Sequence, residues 1–245
     1  TEDDFIYISC GTWSLFGTET QEPIIGEKSM KYNITNEGGY NYTTRFLKNI
    51  IGLWLIQETR RQYRREGQQY TYNDLEKHAL ASEPFKYFID PDVQEFVPPG
   101  DIPGRVRDFC KRTGQGEPQT VGEIMRCIYE SIAMKVRYYA YAFRELKEDF
   151  RRVYVINGGS RNGLLMQFIS DALNMEICAG MPYATISGNL LTQLYARGEV
   201  ASVEQMRQLS KESFELKVYE PQQGAQWKEE FARYITLRSS QSIIH

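Results

Sequence analysis

The segment YVINGGSRNGLLMQFISDALN, residues 154–174, places three structural signals in direct succession. It begins with aromatic and β-branched residues typical of a strand, turns at Gly158 and Gly159, and continues with apolar residues at helical spacing. Glycines at such a corner allow a phosphate or nucleotide to approach the backbone closely, and they also relieve steric crowding in an ordinary tight turn. The segment predicts an α/β fold and leaves both functions of the corner open.

Several other classes of site and protein are disfavoured by the sequence. Neither GxxxxGK[ST] nor GxGxxG occurs, so the corner is not one of the common phosphate-binding loops. The two histidines and four scattered cysteines, with no CxxC pair, argue against a metal site. A net charge of -3 argues against a nucleic-acid partner, and no run approaches the ~20 apolar residues of a membrane span. These features predict a cytoplasmic protein.

Hydrophobic periodicity gives a coarse order of elements along the chain. It predicts a β-hairpin from residues 5–8 and 14–18, a strand within 29–40, a helix over 43–66, and a short helix over 71–81 that Asn73 caps. It then predicts an ordered loop with short strand pieces over 83–105, and a long helix that starts at a Thr120–Glu123 capping box. After the glycine corner come a strand at 176–180, a helix ending at Gly198, and a last helix over 227–240. The order indicates a mixed sheet covered by helices.

A second glycine corner lies in the first hairpin, in CGTWS. Gly11 and Thr12 there would expose backbone N–H groups and a hydroxyl, which suit the terminal phosphates of a nucleotide. A hairpin for the phosphates together with a later glycine–helix corner for the base is the arrangement of the ribonuclease H-like, actin-like ATPase fold. The DPD sequence at Asp90 and Asp92, by contrast, is more typical of a turn than of a metal site.

The motifs are specific enough to indicate a family. They are SCGTWSL (9–15), NEGGY (36–40), RFLKNIIGLWLIQETRR (45–61), FIDPD (88–92), INGGSRNGLLMQFISDALN (156–174) and ATISGNLLTQL (184–194). The motifs and their order resemble those of the C-terminal half of the FGGY carbohydrate kinases. The LKNIIGLWLIQE run most resembles the members that act on L-rhamnulose. The resemblance implies that residues 1–240 are a nucleotide-binding lobe with an inserted helical and loop segment at 42–119, and that the N-terminal lobe is absent.

The resemblance also implies roles for individual residues. Thr12 would face the ATP phosphates beside Gly11, Gln57 would contact the nucleotide, Gly158 and Gly159 would lie against the adenosine, Asn162 would lie at the adenine edge, and Asn49 would lie at the sugar end of the cleft. On the predicted 43–66 helix, Asn49 and Gln57 would share one face. Related kinases carry cysteines at the separation of Cys110 and Cys127, which implies a possible disulfide.

The implied activity is ATP- and Mg²⁺-dependent phosphorylation of L-rhamnulose at its 1-hydroxyl. In the family the catalytic Asp belongs to the N-terminal half, so this chain is expected to be inactive alone and to need that lobe as its partner. Three alternatives remain open. They are a kinase of another ketose such as fuculose or xylulose, a non-catalytic actin-like nucleotide-binding domain, and an α/β domain that binds no nucleotide.

Overall fold

A mixed seven-stranded sheet organises the computed structural model, which describes residues 4–146 and 150–241. Its strands are β1 (Phe5–Cys10), β2 (Trp13–Thr20), β3 (Thr35–Gly38), β4 (Thr44–Ile51), β5 (Arg152–Ile156), β6 (Ile177–Gly180) and β7 (Leu216–Tyr219). They lie in the order β3-β4-β2-β1-β5-β6-β7. The pairs β1–β5 and β5–β6 are parallel, and the other pairs are antiparallel. The carboxyl ends of β1, β5 and β6 therefore meet at one edge.

Helices cover this sheet. They are α1 (Glu27–Lys31), α2 (Trp54–Arg65), α3 (Tyr72–Leu80), α4 (Ile102–Arg112), α5 (Val121–Leu146), α6 (Gly163–Leu173), α7 (Ala184–Ala196), α8 (Val203–Ser213) and α9 (Gly224–Gln241). Over the described ranges, none of them has the length and apolar character needed to cross a bilayer.

One face of the sheet packs against α5 and α6 and forms the main core. Ile6, Ile8 and Phe16 are buried on this face, at alternating positions along β1 and β2, as the period of a strand requires. The ring of Phe143, from α5, contacts the rings of Phe16 and Phe46 at centroid distances of 5.1 and 5.2 Å. The opposite face carries the residues between these positions.

That opposite face meets α7 and α8. Arg207 of α8 forms an ion pair with Glu19 of β2 at 3.8 Å. The ring of Tyr195 in α7 packs edge-on against Tyr40, just before β4, with centroids 6.3 Å apart. Different helices thus pack on the two faces of the sheet. Helix α7 has no buried residue.

The sequence predicted many of these elements correctly. The first hairpin is confirmed as β1 and β2, and the strand, helix, strand and helix that follow residue 150 are confirmed as β5, α6, β6 and α7. The capping box at the start of α5 is present, because Glu123 N donates to Thr120 Oγ1 at 3.1 Å and Thr120 N donates to a Glu123 carboxylate oxygen at 3.1 Å. The mixed α/β sheet is confirmed as well.

The predicted helix over 43–66 is wrong in its first half. Residues 44–51 form β4, which pairs with β2 along its whole length, and α2 begins only at Trp54. Phe46 and Ile50 satisfy helical spacing and strand alternation equally, so periodicity could not separate the two. Gly52 lies between β4 and α2. It leaves no room for a side chain, because a Cβ there would meet Ser14 Oγ and come within 2.8 Å of Gly11 O. Residues 44–51 of the segment predicted as an insertion at 42–119 thus belong to the main sheet, and the insertion itself stays a prediction.

Some smaller features also differ from the sequence-based expectations. The short helix α3 is capped by Thr71, whose hydroxyl accepts from Asp74 N at 3.1 Å, and not by Asn73. The segment 83–105 is ordered but contains no strand, and α4 begins within it at Ile102 behind an Asp101 cap. The elements α1, α8 and β7 were not predicted, since each is short or almost wholly exposed and so has little apolar periodicity.

Candidate functional site

The two glycine corners lie side by side at the carboxyl edge of the sheet. The first follows β1 and the second follows β5, and these strands are parallel neighbours with Ser9 opposite Ile156. Gly159 packs directly on Cys10, the residue before Gly11. Ligands of open α/β sheets bind outside the carboxyl ends of such strands, so the topology makes this edge the candidate site.

In the hairpin corner, Thr12 and Gln57 meet across a long stretch of sequence. The exposed Thr12 hydroxyl donates to Gln57 Oε1 at 3.3 Å. The corner carbonyls hold the start of α2, since Leu53 N donates to Gly11 O at 2.9 Å and Trp54 N donates to Thr12 O at 3.1 Å. The N-terminal end of α2, which has no side-chain cap, thus lies beside the Thr12 hydroxyl, and the helix dipole favours an anion there.

One expected feature of this corner is different in the structure. The N–H of Gly11 is not available to a ligand, because it donates to Trp13 O at 3.0 Å. The exposed Thr12, and not the Gly11 N–H, is therefore what this corner presents to solvent.

The paired glycines of the second corner have different surroundings. A Cβ on Gly158 would meet no atom within 4 Å, so the space above this exposed glycine is open. A Cβ on the buried Gly159 would meet Cys10 Sγ and come within 2.8 Å of Cys10 Cβ and 2.9 Å of Cys10 O. Gly159 is thus required by packing, while Gly158 is the residue that leaves room for a ligand. Burial also raises the pKa of the Cys10 thiol to about 11, which keeps it neutral.

The N-terminus of α6 is already satisfied by protein groups. Asn162 caps it, with its Oδ1 accepting from Leu165 N at 2.8 Å and its Nδ2 donating to Tyr129 Oη at 3.1 Å. The carboxylate of Glu76, from α3, accepts the N–H of Leu164; burial raises the pKa of Glu76, and this hydrogen bond opposes the rise. With these N–H groups engaged, the helix end is poorly suited to a phosphate. The second corner is better suited to an uncharged part of a ligand.

Asn162 offers a direct test of its role as a cap. We expect Asn162→Ala to lower the free energy of unfolding by about 1 kcal/mol, because Leu165 N loses its acceptor. Asn162→Ser retains a capping oxygen but loses the bond to Tyr129, so it should lose less stability than Asn162→Ala. Urea unfolding of both variants measures this difference. If Asn162→Ala kept full stability and weakened only nucleotide binding, Asn162 would instead be a ligand contact.

Asn157, which the sequence did not single out, connects three elements at this edge. It has a φ of 69°, in the region that asparagine tolerates better than most residues. Its Nδ2 donates to Ser9 Oγ at 2.8 Å, and its Oδ1 accepts from the Thr185 hydroxyl at 3.3 Å. An asparagine directly before paired glycines at the end of a strand was the available signal.

Asn49 lies apart from the hairpin contact. It is exposed on β4, opposite Leu15 of β2, and not on one helix face with Gln57 as predicted. Its side chain is on the sheet face away from α5, because neighbouring Ile50 is buried on the α5 side. The structure thus joins Thr12 to Gln57 and leaves Asn49 exposed on the sheet face away from α5.

The two candidate disulfide cysteines are neighbours in the core. Cys110 and Cys127 are both buried free thiols, and their side chains are hydrogen-bonded to one another. Burial raises the pKa of Cys127 well above its usual value. Their pairing under oxidising conditions stays a prediction.

Asp90 and Asp92 lie in a turn, and both form ion pairs with a buried lysine. Lys135 Nζ, on α5, lies 2.5 Å from Asp90 Oδ1 and 2.9 Å from Asp92 Oδ2. Asp92 Oδ1 also accepts from Ile51 N at 3.0 Å. This network fixes the end of β4 immediately before the α2 corner. Across the described part of the chain, no group of three or more His, Cys, Asp and Glu residues forms a candidate metal site.

Comparison with known proteins identifies relatives of this chain. The sequence model of the FGGY family of carbohydrate kinases, C-terminal domain, matches residues 6–197. The rhamnulokinase of Bacteroides thetaiotaomicron is 40% identical over 237 residues, which cover 96% of this chain and 47% of that protein. The rhamnulokinase of Bacillus subtilis is 39% identical over 223 residues, covering 89% and 45%. The chain therefore spans about half the length of the curated relatives that it matches.

Solved structures show the same fold. The xylulose kinase of Rhodospirillum rubrum superposes with a TM-score of 0.73 at 10% identity, covering 100% of this chain and 48% of that structure.

Proposed function

Because this chain belongs to the FGGY family of carbohydrate kinases, we propose that it is the nucleotide-binding half of an ATP-dependent sugar kinase. The observation that carries the proposal is the meeting of the two glycine corners at the ends of β1 and β5. Their chemistry differs in a way that fits ATP. The hairpin corner offers a hydroxyl beside a positive helix end, and the second corner offers open space beside a helix end that is already capped.

The residues present suit the two ends of ATP. The single O–H of Thr12, which donates to Gln57 Oε1 in the structure, would turn to donate to a terminal phosphate oxygen, and the N-terminus of α2 would stabilise the phosphate charge. The open space over Gly158 would receive the adenosine, and Asn162 would act mainly by holding the corner through its cap. Mg²⁺, when bound with ATP, would supply neutralisation of the triphosphate charge.

The proposed sugar is L-rhamnulose, phosphorylated at its 1-hydroxyl. Its support is the 40% and 39% identity to two rhamnulokinases, together with the exposure of Asn49 on the sheet face away from α5. Transfer to a sugar hydroxyl requires a base within reach of that hydroxyl. We assign no such base in this half, so the chain alone is expected not to phosphorylate L-rhamnulose, and the base would come from the half that precedes it in a full-length kinase.

Removal of the Thr12 hydroxyl tests the phosphate corner. We expect Thr12→Val to weaken Mg-ATP binding about tenfold, because a charge-assisted hydrogen bond to the phosphate is lost. The thermal midpoint should be nearly unchanged, since this side chain is exposed. Titration calorimetry of Mg-ATP into the chain measures the effect. Thr236→Val, at an exposed threonine on α9, is the matched control and should bind like wild type.

The same titration on the full-length kinase separates two kinds of failure. If the isolated chain fails to bind but the full-length protein binds and shows the Thr12 effect, the site needs both halves. If a folded full-length protein does not bind Mg-ATP, the proposed function is wrong.

A further inference from the structure

Arg161 and Tyr183 form an exposed, stacked pair of side chains beside the second glycine corner. The Arg161 guanidinium lies 5.0 Å from the centre of the Tyr183 ring, and one of its N–H groups donates to Tyr183 Oη at 3.0 Å. Both residues are exposed, Tyr183 by 53%. Among the residues that the structure describes, neither side chain has another hydrogen-bond, ion-pair or ring partner. This exposed pair therefore presents planar surface to solvent.

A second arginine–tyrosine pair shows what such a contact does elsewhere in this chain. In α5, the guanidinium of Arg137 lies 5.4 Å from the ring centre of Tyr141 and donates to its Oη at 3.0 Å. Arg137 is buried and also donates to Ala172 O of α6, so this pair joins two helices. The ring of Tyr141 also stacks on Phe231 of α9. The exposed pair, by contrast, is not continued into the core by any such contact, so packing does not explain it.

The exposed pair lies beside the open space over Gly158. Arg161 ends the short helical turn that starts at Gly158, and Tyr183 immediately precedes α7. The two loops that carry the pair are held together, because Asn157 N donates to Met181 O at 3.1 Å. Asn157 and Met181 have φ values of 69° and 50°, so both loops turn sharply at this contact. The open glycine and the exposed pair are therefore parts of one surface.

We propose that the exposed pair of Arg161 and Tyr183 is the surface on which the base of the nucleotide stacks. The inference rests on the proposed function, because it requires the adenosine to lie over Gly158. Nucleotide bases stack on aromatic rings and on guanidinium planes. The plane of Arg161 is already oriented by its contact with Tyr183, so stacking would restrict little further side-chain freedom.

The surroundings favour a base over a phosphate at the exposed pair. The N–H groups at the start of α6, next to Arg161 in the chain, are engaged by Asn162 and Glu76. The uncapped N-terminus of α2 and the Thr12 hydroxyl lie at the other corner. A triphosphate directed to that corner leaves the uncharged base at the exposed pair. Arg161 would then act through its flat face more than through its charge.

Two ligands, of which only one has a base, test this role by titration calorimetry on the full-length kinase. Mg-ATP carries the base, whereas Mg-tripolyphosphate carries phosphates alone. We expect Arg161→Ala and Tyr183→Leu each to weaken Mg-ATP binding at least about fivefold, and to leave Mg-tripolyphosphate binding within about twofold of wild type. Arg161→Lys keeps the charge but loses the plane, so it should weaken Mg-ATP binding nearly as much as Arg161→Ala. Tyr183→Phe keeps the ring and should bind Mg-ATP nearly like wild type.

Tyr141→Leu is the matched control for Tyr183→Leu. It removes a tyrosine that is 42% exposed and that stacks with an arginine in the same way, but away from the site. This variant should bind both ligands like wild type. The variants at Arg161 and Tyr183 should unfold within about 2 °C of wild type, since both side chains are exposed.

Two results would overturn the proposal and leave the proposed function in place. The first is an equal loss of both ligands in Arg161→Ala, which would make Arg161 a phosphate contact. The second is unchanged Mg-ATP binding in both Arg161→Ala and Tyr183→Leu, which would remove the pair from the site. A folded full-length wild type that binds neither ligand would instead contradict the proposed function, and this inference with it.

Discussion

Replacing Gly159 with alanine is expected to lower the free energy of unfolding by about 1–3 kcal/mol and to weaken Mg-ATP binding more than tenfold. The new Cβ would lie 2.8 Å from Cys10 Cβ and 2.9 Å from Cys10 O, and one of these is backbone that cannot rotate away. Relief requires the second corner to move off β1. Because Cys10 precedes Gly11, this shift would also separate the two corners. Urea unfolding and titration calorimetry measure the two effects.

Gly158→Ala is the matched control, one position earlier in the same corner. Its Cβ would meet no atom within 4 Å, so stability should be nearly unchanged. If the adenosine lies over Gly158 as proposed, this variant should still weaken nucleotide binding, without loss of stability. Equal stability of the two alanine variants would contradict the packing role of Gly159.

Replacing Lys135 with methionine is expected to have the largest effect on stability, a loss of about 3–5 kcal/mol. Lys135 is 1% exposed and pairs with the carboxylates of Asp90 and Asp92 at 2.5 and 2.9 Å. Methionine fills similar space but removes the positive charge, and Asp92, whose side chain is 24% exposed, would lose this cation. Arg238, whose Nε lies 3.0 Å from Asp90 Oδ2, would compensate only Asp90. Urea unfolding measures the loss.

Lys86→Met is the comparison for a lysine pair at the surface. Lys86 contacts Glu123 at 2.9 Å, but its side chain is 41% exposed. Water screens such a pair, so this variant should differ little from wild type. We also expect Lys135→Met, in contrast to Lys86→Met, to speed hydrogen exchange at Ile51, whose N–H donates to Asp92. A Lys135→Met protein as stable as wild type would show that the buried network does not hold the end of β4.

The strands and helices that the sequence predicted well are those whose hydrophobic pattern fits either the helical period or the strand period, but not both. Helix α5 and the β5–α6 corner belong to this group. Residues 44–51 do not, because Phe46 and Ile50 fit either period, and only pairing with β2 settles the choice. Helix α8 and strand β7 were missed since their burial is slight and their pattern correspondingly weak.

Within the site, the sequence could propose individual residues but not which of them leave room for a ligand and which serve packing. That Gly158 is open and Gly159 is packed depends on Cys10, which is remote in sequence. The acceptor that neutralises the start of α6 is Glu76, on a helix of the inserted segment, and no local pattern connects it to Asn162. These contacts join residues that are distant in sequence, whereas the spacing of a motif indicates only contacts between residues that are close in sequence.

The parallel pairing of β1 with β5 also has a consequence for how this half acquires its site. Asn157 bonds to Ser9 across 148 positions of sequence, while β1 and β2 are joined by a two-residue turn. The hairpin can form early and locally, but β5 can dock only after closure of a very long loop, which slows folding. During synthesis on the ribosome, the phosphate corner would therefore exist well before the corner that completes it. We expect nucleotide to stabilise only the late stages of folding, after α6 has emerged.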